Sequence, residues 1–321
     1  MPRVSVLLAV RNGLPYLGEA IESILRQTYT DFELVIVDDA STDGSPEVIA
    51  GYTDPRLRLI RRRHWQGVGS CVAEAYASST GEFIARMDAD DVSYPHRFAR
   101  SIELMEAHPE VALVAGSADR LYVEENRVEP NFYARTYGYR DLSRPAENAA
   151  HIRQLLETDN VICQPTVMLR RRALDVVGFY RFPFVEDYDL WLRITERFQA
   201  LVAPETWLLH RVHSQATSSR RWAQMRRYEW IVRRAKARRL AGKPEHLRLL
   251  ELASAPLTPL GWWIWFSYLG NVLRAKGSTL RRQRRPIAGA LWSTLGGAIQ
   301  TLTHPISVAR ALARKLGRRS S

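Results

Sequence analysis

Cysteine is scarce in this chain: Cys71 and Cys163 are the only two in 321 residues. Two thiols so far apart make no disulfide framework, and a reducing cytosol is the expected setting. A chain of this length, 46% hydrophobic and 25% charged, buries a core without covalent staples and has room for one large domain with an appendage, or for two domains. An apolar leader is also missing. Met1-Pro2-Arg3 runs straight into a strand-like segment, so no secretory signal is expected. There is no internal repeat and no low-complexity tract. Acid is rare in the last third: residues 211–321 hold 23 Lys and Arg against 3 Asp and Glu, a net +20, while the preceding 210 residues carry −8. A mildly acidic body with a strongly basic tail predicts an anionic partner for the tail, either nucleic acid or an anionic membrane surface.

What is present alternates between strand and helix patterns. Val4 to Val10 and Glu33 to Val37 are nearly continuous apolar runs, as buried strands require. Between them Leu17, Ala20, Ile21, Ile24 and Leu25 form one helical stripe. Leu57 to Ile60 and Phe83 to Met87 predict two further strands, with a helix from about Cys71 to Ser78 between them. Val111 to Val114, Thr166 to Leu169 and Trp207 to Leu209 are also read as strands, and Asp187 to Arg197 as a helix with Leu190, Trp191 and Ile194 inward. Residues 117–160 are polar and resist assignment. Such alternation implies an α/β fold with a mostly parallel sheet covered by helices, whose ligands gather at the carboxyl ends of the strands. The composition changes near Ser214, giving an expected division into a catalytic domain over 1–215 and a basic, aromatic-rich helical extension over 216–321.

Acidic clusters sit at two of those strand ends. Asp88-Ala89-Asp90-Asp91 crowds carboxylates on one turn, which calls for a hard divalent cation such as Mg²⁺ or Mn²⁺, with a diphosphate in the same shell. A solvated turn capping the next helix is the bland alternative. Asp38-Asp39 could accept hydrogen bonds from a base or a ribose, or could serve as a helix cap. Glu186-Asp187-Tyr188-Asp189 opens an amphipathic helix, where acids commonly serve the helix dipole but where one could act as a general base. His213, after the strand at Trp207, could meet a diphosphate or metal, or could be structural.

The order of these pieces resembles a known family. VSVLLAVRNGLPYLGEAIESILRQTYTDFELVIVDDASTDGS is similar to the opening of family-2 inverting glycosyltransferases. GEFIARMDADDVSYPHRF resembles that family's metal motif, and QPTVMLRR, VEDYDLWLRI and LLHRVHSQATS resemble its acceptor-side half. The resemblance covers residues 3–217. It implies a GT-A fold and transfer of a sugar, hexosyltransferase-like, from a nucleoside-diphosphate sugar, expected to be a UDP-sugar, to an acceptor hydroxyl in polysaccharide or glycolipid synthesis. By position it implies that Ala9, Arg11 and Asp39 contact the base and Asp88 the ribose. Asp90, with Asp91 behind it, and His213 would hold Mn²⁺ or Mg²⁺, and Asp187, with Glu186 beside it, would be the catalytic base. One departure stands out: Val72, Ala73 and Glu74 occupy a stretch where the family carries an Asn beside a basic residue, which bears on the donor's identity. The rival readings are a protein glycosyltransferase and an inactive nucleotide-sugar-binding regulator.

The tail contains two uncharged stretches, 252–273 and 286–309, each long enough to span a bilayer. Pro256, Pro259, Gly261 and Pro305 interrupt them, and the basic loop 274–285 between them opposes a two-span hairpin. Helices lying in the interface, on the cytoplasmic face of a membrane, fit the Trp-rich composition. A soluble helical extension is the alternative, and nucleic acid ranks third because no binding module appears.

Overall fold

A computed structural model describes residues 1–247. In chain order its strands are β1 (Val4–Val10), β2 (Phe32–Asp38), β3 (Leu57–Arg61), β4 (Phe83–Asp88), β5 (Val92–Ser93), β6 (Val111–Tyr122), β7 (Arg127–Glu129), β8 (Met168–Arg170) and β9 (Gln199–Val212). The helices are α1 (Leu17–Leu25), α2 (Ser45–Ala50), α3 (Val68–Ala77), α4 (Arg97–Ala107), α5 (Phe132–Tyr137), α6 (Pro145–Leu155), α7 (Arg171–Val177), α8 (Glu186–Arg197), α9 (Thr217–Arg220) and α10 (Trp222–Leu240). The chain divides into two compact units, Met1–Arg220 and the residues from Arg221 onward.

The first unit is built on one mixed sheet in the order β3-β2-β1-β4-β8-β6-β9-β5, with β7 against the far end of β6. β3, β2, β1 and β4 run parallel. The apolar runs that predicted them are buried from Val4 to Leu8 and from Leu34 to Val37, as expected of strands covered on both faces. β8 then enters antiparallel to both β4 and β6, so the sheet changes character beside the strand that carries the acidic turn. Val10 lies opposite Asp38, and Ala9 opposite Asp88. Register therefore brings both acidic strand ends to the same edge of the sheet.

Close packing fixes this frame at small residues. A Cβ on Gly81 would come 2.7 Å from the Ser5 backbone nitrogen, and one on Gly116 would come 2.3 Å from the Trp207 ring. The indole of Trp207 is fully buried and lies across β6 where a side chain would otherwise stand, binding β9 to β6.

Several expectations change in detail. The strand expected at Thr166 to Leu169 begins at Met168, because Gln164–Thr166 is a 3-10 turn. The Thr166 hydroxyl bonds the carbonyls of Cys163 and Gly116 at 2.7 and 3.1 Å, a side-chain-to-backbone competition that favours turn over ladder. The helix expected from Cys71 starts at Val68, directly after Gly67, whose φ of 92° suits a residue without a Cβ. The unassigned stretch 117–160 supplies the end of β6, β7, α5 and α6. Among the described residues no helix is long and apolar enough to cross a membrane. The two uncharged tail stretches lie outside the described residues.

Candidate active site

The edge where β1, β2 and β4 end collects the expected donor-side residues. Ala9 is half-buried and Arg11 exposed, with the Arg11 guanidinium 5.1 Å from the centre of the Trp65 ring. Asp39 is 3% exposed. Its two carboxylate oxygens accept the backbone N–H groups of Gln66 and Gly67 at 3.0 and 2.7 Å, and Arg62 pairs with it at 3.5 Å. Asp39 thus pins the loop after β3 and holds Trp65 next to Arg11. Arg62 also reaches Glu74 at 2.5 Å and the Ser70 carbonyl at 2.9 Å. Glu74 is one of the departures noted in the sequence, and here it ties α3 to the loop through Arg62.

The acidic turn after β4 divides its carboxylates among separate partners. Asp88 accepts from Arg86 at 2.7 Å. Asp90 lies 3.0 Å from His213 Nε2, and the His213 ring centre is 5.2 Å from that of Tyr16. What brings His213 there is β9: the short β5 pairs antiparallel with Leu208 and Leu209, and Arg211 clamps the turn. The Arg211 backbone N–H donates to Asp91 at 2.8 Å and its guanidinium to the Asp90 carbonyl at 2.9 Å. Asp91 is buried, and its other oxygen has no hydrogen-bond partner in the described structure. Burial, followed by the neighbouring carboxylates, pushes Asp90 up and Asp91 well above the ordinary range.

Such crowding is the situation a divalent cation relieves. Among the described residues no group of three or more His, Cys, Asp or Glu side chains could by itself hold a metal ion. Two protein ligands completed by substrate phosphates is a usual arrangement for Mg²⁺-type ions. Asp90 and His213 fit it; Asp91 gives one oxygen to the backbone of β9, and its other oxygen is buried beside them without a hydrogen-bond partner.

Across the sheet, α8 presents the acids expected of a base. It begins after Val185, a β-branched residue with φ of 50°, a left-handed conformation that such residues avoid and that stores strain. Asp187 accepts from the Asn160 amide at 2.7 Å. It retains partial solvent contact, yet its dense surroundings raise its carboxyl above the ordinary value. Glu186 is pushed up to about 8 by burial and then by the Asp187 charge. Asp189 is fully buried between Arg181 at 2.6 Å and Arg193 at 2.9 Å. Arg86 links the two sides, since its charge acts on Glu186 as well as Asp88. Wholly inside β4, it also donates to the Leu7 and Met87 carbonyls at 2.9 and 2.7 Å.

Reasoning from the sequence passed over Arg86, Asn160, Arg62 and Arg211. Arg86 sits within the acidic motif itself, where an arginine in a buried strand was the available signal. Asn160 gave none beyond its position four residues before Gln164.

The sequence profile of glycosyl transferase family 2 matches residues 5–178, more than half of the chain. The chain belongs to this family. It is similar to the putative glycosyltransferase EpsE of Bacillus subtilis (strain 168), 32% identical over 206 residues, which cover 61% of this chain and 67% of that protein. It is also similar to the UDP-Glc:alpha-D-GlcNAc-diphosphoundecaprenol beta-1,3-glucosyltransferase WfaP of Escherichia coli, 27% identical over 78% of this chain and 92% of that one. Its fold matches that of the mannosyltransferase PcManGT from Pyrobaculum calidifontis, solved with GDP-Man and Mn²⁺. The TM-score is 0.57 at 20% identity, over 93% of this chain and 87% of that one. The architecture is therefore the expected GT-A α/β fold, and the family member is an inverting glycosyltransferase that uses a nucleoside-diphosphate sugar.

Proposed function

We propose that this enzyme is a metal-dependent hexosyltransferase in which Asp90 and His213 hold the ion and Asp187 is the base. The observation that carries the reading is the 3.0 Å approach of His213 to Asp90, made by β9 at the sheet edge where Asp39 and Asp88 also end. Ala9, Arg11 and Asp39 line the base subsite, and Asp88 faces the ribose. A divalent ion bound at Asp90 and His213 would supply counter-charge to the leaving diphosphate.

The remaining chemistry belongs to the chain. The Asn160 amide fixes the Asp187 carboxylate through one oxygen, and the carboxylate meets the acceptor hydroxyl. Asp187 takes that proton as the hydroxyl oxygen forms its bond to the anomeric carbon. The bond to the nucleoside diphosphate breaks on the opposite face, and one displacement inverts the centre. A raised carboxyl is the better general base. Glu186, protonated at neutral pH in the free enzyme, adds no rival charge beside it. Asp91 secures the turn to β9.

The donor is a UDP-sugar and the product a polysaccharide or glycolipid, a reading supported by the likeness to WfaP. The +20 tail supports an anionic membrane surface as the partner of the extension from about residue 216. The test is a panel of nucleoside-diphosphate sugars scored for thermal stabilisation with Mn²⁺ and with chelator, because a ligand that binds the native state raises its apparent stability. Metal-dependent stabilisation by a UDP-sugar is expected. Equal stabilisation in chelator would remove the metal from the account.

A further inference from the structure

The Arg211 side chain joins parts of the protein that lie far apart in sequence. It is nearly buried, with 6% of the side chain exposed. Nη1 donates to the Asp90 carbonyl at 2.9 Å, and Nη2 pairs with Glu19 in the first turn of α1. The guanidinium carbon lies 4.9 Å from the centre of the Tyr16 ring. The same ring lies 5.2 Å from that of His213, and the Arg211 backbone N–H holds Asp91 at 2.8 Å. Residues 16–19, 90–91 and 211–213 therefore meet around one guanidinium.

Each of these segments is fixed where it meets the others. α1 buries Leu17, Ala20, Ile21 and Ile24. It is also fastened to the chain at β5: the Ser23 hydroxyl accepts the Ser93 N–H at 3.0 Å, and the Gln27 amide donates to the Tyr94 carbonyl at 2.8 Å. The loop before α1 is tied down by the N–H groups of Gly13 and Leu14, which donate to Ser45 and Asp43 at 2.9 and 3.0 Å. Beyond His213, the Ser214 N–H donates to Glu124 at 2.7 Å. The imidazole thus stands on a stretch of chain held on both sides, with Tyr16 as its wall. That Tyr16 touches both Arg211 and His213 follows from their spacing, since residues two apart on an extended chain project to the same side.

We propose that Arg211 is a positioning residue for the ion: with Tyr16 and Glu19 it holds Asp90 and His213 together, so that the pair is already assembled when a divalent cation arrives. The inference rests on Asp90 and His213 being the ion-holding pair. Arginine suits the task because a planar fork donates in two directions while its face packs on a ring. Lysine would offer a single point of attachment. The fixed charge of Arg211 also stays beside Asp90 and Asp91 whether or not an ion is bound, and offsets the repulsion between them. A direct role at the diphosphate fits less well, since Nη1 and Nη2 each donate to a protein oxygen and the guanidinium lies against Tyr16.

The test is titration of Mn²⁺ into the full chain with saturating UDP, the free ion being counted by its electron paramagnetic resonance signal. UDP affinity in chelator is measured alongside by calorimetry. Arg211→Met is expected to weaken Mn²⁺ binding by about 10–100-fold, the usual worth of a group that orients metal ligands, and to leave UDP affinity in chelator unchanged. Arg211→Lys should recover part of the loss. Glu19→Gln and Tyr16→Leu act from α1 and leave the acidic turn itself untouched; both should weaken Mn²⁺ binding in the same direction, which keeps the proposal testable if the Arg211 variants do not fold. A residue with a merely structural role would lower Tm and leave the Mn²⁺ affinity of the folded protein where it was. Unchanged Mn²⁺ affinity in Arg211→Met, or in Glu19→Gln and Tyr16→Leu together, would overturn the proposal. So would an equal loss of UDP affinity in chelator, which would mark Arg211 as a ligand of the diphosphate. Mn²⁺ binding that survives undiminished in Asp90→Asn would instead strike the ion pair on which the proposal rests.

Discussion

Three carboxylates crowd the first turn of α8, and replacing each by its amide should produce a different defect. Asp189 is fully buried and sits between two guanidinium groups, at 2.6 Å from Arg181 and 2.9 Å from Arg193. Arg193 is itself nearly buried and spends its other donors on the carbonyls of Val177, Gly178 and Phe179. Neutralising Asp189 leaves a buried cation without its counter-charge, which costs about 3–5 kcal/mol. Arg181 is 26% exposed and can turn to water, so the lower end, about 3 kcal/mol, applies. For a unit of this size that lowers Tm by roughly 6–12 °C. Asp187→Asn leaves this network intact and should keep Tm within a few degrees while kcat falls by about 10²–10⁴-fold, the worth of a positioned base. Calorimetric melting and turnover are measured on the same preparations, with donor affinity alongside. If Asp187→Asn turns over normally, or if Asp189→Asn loses turnover while its melting is unchanged, the assignment of roles along this turn is wrong.

The other predictions concern the ion, the protonation state and the packing. Asp90→Asn and His213→Ala should each abolish the Mn²⁺-dependent part of UDP binding by calorimetry while leaving the fold intact by circular dichroism; binding that keeps its metal dependence in both variants would refute the ligand pair. Glu186 lies at about 8 when folded, against 4.5 as its ordinary value, so between these the folded chain holds a proton that the unfolded chain releases. Its contribution to stability therefore falls as pH rises through that window, and Glu186→Gln should give a flatter Tm profile from about pH 5 to about pH 8. An unchanged profile would show that burial does not act on this group as described. Gly116→Ala drives a methyl into the Trp207 ring and should destabilise by about 1–3 kcal/mol, read as a lower urea midpoint with unchanged m-value; a neutral result would mean that β9 can shift freely against β6.

The strands of the donor side were legible because a parallel sheet covered on both faces demands unbroken apolar runs, and Val4–Leu8 and Leu34–Val37 supply them. The acidic ends of β2 and β4 stood out for the same reason, since charge following such a run marks a strand leaving the core. The acceptor side was harder. β6 and β9 continue beyond their apolar cores into residues such as Asp119, Arg120, His210 and Arg211, where charged side chains interrupt the period-two alternation. α5 has six residues, too few to display a helical stripe. The partners that give the candidate residues their character, Asn160 for Asp187, Arg211 for Asp91 and Arg62 for Asp39, come from distant parts of the chain, and no local pattern records such a meeting.

The central claim is a single displacement at the anomeric carbon by an acceptor hydroxyl that gives its proton to Asp187, with Asp90 and His213 as the residues that would hold an ion supplying counter-charge to the leaving diphosphate. It is tested most directly by following the anomeric proton of the product by NMR in a reaction of the full chain with a UDP-hexose and a methyl glycoside, with Mn²⁺ removed before acquisition, and in a parallel reaction with excess chelator. The account predicts a product of inverted anomeric configuration that forms with Mn²⁺ and is lost in chelator. A product of retained configuration, or undiminished turnover in chelator, would contradict it.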